Sequence, residues 1–184
     1  MKELYSLKGE LAAGIWDDIA RVCRKRGDIG IERGASRQAY TTTVALRGEG
    51  NMMSLWRGER LAEALLNSDE RDEALVREAY VLLRKIAPLS RREFGPNDDT
   101  TLNLRRLYAT SLFTGAASRD DVAKATTILT DVGRTARGRA SCTHTDSIQM
   151  TLETAREKLT ALENVKRRRS TRTQAALEAA VLAL

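Results

Sequence analysis

A pattern that returns after 46 or 47 residues constrains this chain more than any other feature. Gly95…Thr101-Leu102…Tyr108-Ala109…Leu112 becomes Gly48…Ser54-Leu55…Leu61-Ala62…Leu65 on stepping back by 47. Stepping forward by 46 gives Ser147-Ile148…Ala155, with Ser141 where the glycine stood. A weaker copy lies 42 before Ala62, where Ile19-Ala20…Cys23 matches Leu61-Ala62…Leu65. A second series keeps step, since Ala79…Leu82-Leu83 and Ala125…Ile128-Leu129 are 46 apart. Periods of this size belong to arrays of supersecondary units that bury their apolar faces only by stacking on one another. The alanines have a steric reason, because antiparallel helices approach closely only where side chains are short. Ala109 and Ala125 are therefore expected to face each other across one hairpin.

Local signals place the units. Gly95-Pro96 ends one helix, and Asp98, Asp99 and Thr100 offer oxygens to the free amides of the next, which runs to Thr114 with Leu104, Tyr108 and Leu112 as its apolar stripe. In chain order the first helix is expected over 3–26, with Leu11, Ile15, Ile19, Val22 and Cys23 facing the core and Gly27 as its stop. Three glycines make 27–34 a turn. A short helix over 35–47 follows, with a strand as the competing reading because Thr41-Thr42-Thr43-Val44 is β-branched. A hairpin then pairs 52–66 with 70–93, entered through Asn67-Ser68-Asp69, its second helix bent at Pro88 or else stopping and restarting there. The next pairs 100–114 with 119–138, Gly115 ending its first helix and Ser118 with Asp121 forming a capping box. A final helix over 146–168 lacks a full partner and caps the array.

Together these residues resemble tetratricopeptide repeats, in the longer version found in kinesin light chains. That family's loop, Gly-x-x-His-Pro-x-Thr-Leu, is matched by Gly95 to Leu102 and, loosely, by Thr143-His144-Thr145-Asp146-Ser147-Ile148. Its second-helix signature is matched by Glu78-Ala79-Tyr80-Val81-Leu82-Leu83 and Lys124-Ala125-Thr126-Thr127-Ile128-Leu129. The likeness covers 10–162 and is good between 48 and 137. It implies an all-α fold of stacked antiparallel hairpins, about three repeats and a capping helix over 1–165, before a basic, alanine-rich tail at 166–184.

Composition narrows the classes. Aromatics are 4% of the 184 residues and there are two prolines, both favouring helix. No apolar run reaches a membrane span, and Met1-Lys2-Glu3 opens no signal-peptide core. Two cysteines, Cys23 and Cys142, fit a reducing, cytoplasmic setting; the basic tail is also compatible with nuclear import. Net charge is +6, and 166–172 carry five basic residues with no acid, so the remainder is 6 − 5 = +1. A near-neutral body argues against nucleic acid as its partner. His144 is the one histidine, and with Cys23 and Cys142 it cannot close a zinc site or form a triad, so neither metal, cofactor nor enzymatic activity is expected. In the resemblance His144 falls on the family's loop histidine. Trp16 and Trp56 read first as core or hairpin contacts.

The resemblance implies an interaction module that holds a partner peptide or helix in a concave face lined by the first helices of each hairpin. Its register names Arg21, Trp56, Glu63, Asn103, Arg106, Thr110 and Phe113 as groove residues. The family's peptide-binding asparagine, two before the helix alanine, is replaced here by Asp18, Arg60, Leu107 and Glu153. That speaks against an extended acidic peptide as partner. Two alternatives stand beside this reading: RNA or phosphate binding through the basic tail, and self-association through the terminal helix.

Overall fold

The structure, a computed structural model, describes residues 2–67, 72–114, 118–139 and 142–182. Among them the chain is all-helical, with seven helices: α1 Lys2–Arg26, α2 Ile29–Arg47, α3 Met52–Leu66, α4 Glu73–Phe94, α5 Asp99–Thr114, α6 Arg119–Arg137 and α7 Thr145–Leu182. Each helix packs on the next, and α3 also touches α5, as α5 touches α7. Odd-numbered helices thus form one side and even-numbered helices the other.

The helices start where short polar side chains satisfy free amides. Asn51 accepts from Met53 N at 3.0 Å, Asp72 from Ala74 N at 2.8 Å and Asp98 from Thr100 N at 2.9 Å. Ser118 and Asp121 form the expected capping box. Gly27, Gly48 and Gly95 follow α1, α2 and α4 at positive φ, where a side chain is strained. Helix α4 continues through Pro88.

The repeat is visible in what is buried. Val76, Ala79, Leu83, Ile86 and Ser90 line the inner face of α4, and Val122, Ala125, Leu129, Val132 and Ala136, each 46 further on, line that of α6. Ala13, Ala20 and Cys23 on α1 correspond to Leu55, Ala62 and Leu65 on α3 and to Leu102, Ala109 and Leu112 on α5, all buried. Ala109 and Ala125 are both fully buried and share one core cluster.

Several expectations are corrected. The buried face of α1 is its small-residue face, Ala13 and Ala20 with Cys23, whereas Leu11, Ile15 and Val22 are 62%, 60% and 53% exposed. The cause is close packing on α2: a Cβ on Gly9 would come within 2.8 Å of the Leu46 side chain. Only Gly27 and Asp28 make the turn, because α2 begins at Ile29 and takes Gly30 and Gly34 into its length. Buried Glu32, bonded to Arg24 Nε at 2.5 Å, fixes that first turn against the low propensity of glycine. The threonine run is helix, as expected over 35–47, and Thr41 and Thr43 donate to the carbonyls of Arg37 and Ala39. Asp72, not Asn67, caps α4; Ser68, Asp69, Gly115 and Ser141 lie outside the described residues. The final helix does not end at 168: α7 runs on through the basic segment to Leu182. Among the described residues no helix is long and apolar enough to cross a membrane.

Candidate functional site

Stepping the register through α1, α3 and α5 gives three columns on the odd-helix side: Gly14, Trp56 and Asn103; Asp17, Glu59 and Arg106; Arg21, Glu63 and Thr110. Most of the polar groups in these columns are tied to one another. Asp17 accepts from Arg57 Nε at 2.7 Å and from Arg60 Nη1 at 3.4 Å. Arg57, only 10% exposed at its side chain, also donates to the Thr43 hydroxyl on α2. About two turns further along α1, Arg24 Nη1 donates to Glu63 on α3 at 3.2 Å while its Nε holds Glu32 on α2. Glu63 accepts from Asn103 Nδ2 at 3.1 Å and pairs with Arg106 at 3.8 Å. Asn103 Nδ2 also donates to Glu59 Oε1 at 2.5 Å, and its Oδ1 accepts from Arg106 Nε at 2.8 Å. This ladder links α1, α2, α3 and α5. Its four arginines are matched by four carboxyl groups, and the charges cancel when all four are ionised.

Burial sets the electrostatics. The Glu59 carboxyl is pushed up to about 7, chiefly by loss of water, with Glu63 and Asp98 adding to the shift and Asn103 and Arg106 opposing it. Burial likewise lowers the Arg106 guanidinium, against the pull of Glu63 and Glu59.

The predicted groove residues have different fates. Glu63, Asn103 and Arg106 come together in the ladder, and Asn103 is fully buried with its amide committed on both sides. Thr110 is half-buried and donates to the Arg106 carbonyl at 3.0 Å. Phe113 is 7% exposed in the core beneath α7, so its ring does not line a groove. Arg21 stays exposed and pairs with Asp18 on its own helix. Trp56, 43% exposed, borders a cavity of about 430 Å³ lined by Asp17, Met53, Arg57, Glu59 and Arg60. Trp56 and Trp16, the latter 37% exposed, are not core residues, which removes that half of the core-or-hairpin reading; the exposure of Trp56 is compatible with its place among the groove residues.

Sequence reasoning missed Asp17 and Glu59, although the register that names Arg106 reaches them by subtracting 47 and then 42. Arg24, Glu32 and Arg57 carried no such signal, since their partners lie on helices whose facing is set by tertiary packing. His144 lies in the turn before α7, its carbonyl accepting from Ile148 N at 2.9 Å. Among the described residues no three of His, Cys, Asp and Glu gather as metal ligands.

The geometry defines a class: an all-helical, repeat-like protein with an internally neutralised polar ladder on one side. Compared with protein-family models, curated proteins and solved structures, the chain matches none.

Proposed function

We propose that this chain is a non-enzymatic interaction module of tetratricopeptide-like design, working inside the cell, that holds a partner peptide or helix along its odd-helix side with Trp56 as the anchor. The observation that carries the reading is Trp56 itself, an indole 43% exposed at the mouth of a cavity between α1 and α3. A large aromatic kept out of the core, beside a hollow with both signs of charge, has the makings of a binding hot spot. The ladder beneath favours a peptide over a polyanion, because its cations are already paired with carboxylates. The buried Leu107 and the paired Arg60 offer no neutral amide to an extended backbone, which favours an amphipathic helical partner.

The test is selection from a peptide library on the full chain, followed by titration of the best binders against the wild type and Trp56→Ala. Loss of at least tenfold in affinity is expected, and equal binding by the variant would remove Trp56 from the site. A second reading, phosphate or RNA binding by α7, rests on Lys166 and Arg168, exposed on the helix beyond its packed part. It predicts binding that collapses between low and moderate salt, whereas the peptide site does not.

A further inference from the structure

In α3 and α5 one helix face is closed by the hairpin before it. Arg57 and Ala64 on α3, and Leu104, Leu107 and Ser111 on α5, are buried there. The register that lays Ala20 on Ala62 and Ala109 puts Ile15 at the place of Arg57 and Leu104, and Val22 at that of Ala64 and Ser111. On α1 the same face is open. Leu7, Leu11, Ile15 and Val22 are 59%, 62%, 60% and 53% exposed, with Ile19 beside them half-buried. Their spacing makes one strip, about 22 Å long at the helical rise, of the kind that forms a ridge in helix packing.

We propose that this strip pairs with the same strip of a second copy, α1 lying antiparallel to α1 about a two-fold axis at Ile15. The spacing is self-complementary. Leu11 and Ile19 lie four residues either side of Ile15, and Leu7 and Val22 lie eight before and seven after it. Run antiparallel, Leu7 meets Val22 of the other copy, Leu11 meets Ile19, and Ile15 meets itself.

Charge selects this direction. A parallel pair would set Asp18 and Lys25 beside their own duplicates and bring two Arg24-Lys25-Arg26 turns together, whereas the antiparallel pair holds those basic ends a helix length apart. Gly14 sits next to the axis with nothing within 4 Å of where a Cβ would stand, leaving room for the backbones to approach. Among the described side chains of α7 a head-to-tail stack finds no matching strip, because only Met150 and Val165 are exposed large apolar residues there. A strip one helix wide buries about 1,000 Å² from the two copies together, at the low end for specific interfaces, so the dimer is reversible.

Sedimentation velocity on the full chain, from about 1 to 200 µM, should show the mass rising toward that of a dimer. Ile15→Glu should move that rise at least tenfold higher in concentration, each substitution acting twice across the axis. Val81→Glu, at a residue 60% exposed on α4, should leave it unchanged. Oxidation in a Cys23→Ala, Cys142→Ser background gives the geometry. Ile15→Cys should cross-link to itself, and Leu7→Cys only when mixed with Val22→Cys. A monomer at every concentration overturns the proposal. So does a dimer indifferent to Ile15→Glu, or Leu7→Cys linking to itself as readily as Ile15→Cys. The cross-linking pattern decides the matter even if Ile15→Glu disturbs folding.

Discussion

Replacing Glu59 by glutamine should stabilise the protein at neutral and alkaline pH and do little in acid. Glu59 sits on α3 with its Oε1 2.5 Å from Asn103 Nδ2. Burial raises its carboxyl from 4.5 to about 7; Asn103 opposes the rise, Glu63 adds to it, Arg106 opposes it and Asp98 adds to it. A folded-state value above the unfolded one means that the native protein holds this proton more tightly. The stability it contributes is therefore fully present below 4.5 and is lost as pH rises through about 7. The gap between the two values converts to about 3 kcal/mol, most of it falling between pH 5 and 8. Glutamine keeps an acceptor for Asn103 and has no proton to lose. Urea denaturation followed by far-ultraviolet dichroism, at unit steps from pH 5 to 8, should show the variant's advantage growing to about 3 kcal/mol. Glu63, Asp98, Arg106, Arg24 and Glu32 are common to both proteins, so the difference isolates the one carboxyl. A difference that stays constant with pH, or grows toward acid, would refute the reasoning.

Two further tests concern the packing. Ala109→Leu or Ala125→Leu should cost about 1–3 kcal/mol by overfilling the α5–α6 crossing, while Ala161→Leu, on an exposed face of α7, should cost nothing measurable; equal effects would refute the close approach. Arg57→Ala should cost about 3 kcal/mol, since it strips a nearly buried partner from Asp17. Asp17→Asn should cost less, and a loss no larger than that of a surface substitution would show the pair to be idle.

How much of this was legible in the sequence depended on where the period was strong. Ala79, Leu83, Ala125 and Leu129 repeat at one step, and all four are buried. The caps at Asp98 and Ser118 could be read because their partners lie two and three residues away. The inward face of α1 could not be read that way. Large apolar residues mark one face of α1 and alanines another, and only the packing on α2 decides that the alanines turn inward. The start of α2 was hidden for a related reason, since Gly30 and Gly34 look like a turn until the Arg24–Glu32 bond is known. In the site, Arg106 and Glu63 followed from the register. Asn103 followed too, but its burial depends on two carboxylates of α3 that reach it across a helix boundary.

The equal step between the inner faces of α4 and α6 has a consequence for how such a chain changes length. Joining Val76 directly to Ala123 would remove 46 residues and leave one hybrid helix, with Ala125, Leu129, Val132 and Ala136 taking the places of Ala79, Leu83, Ile86 and Ser90. Helix α7 would then meet Ala62, Leu65 and Leu66 of α3, where it now meets Ala109, Leu112 and Phe113 of α5. Each lost contact has a stand-in of similar size. Length in this protein is therefore quantised: one whole hairpin can leave or enter without a new interface being invented, whereas a change inside a helix that is far from a whole number of turns puts the later side chains of that helix on the wrong face.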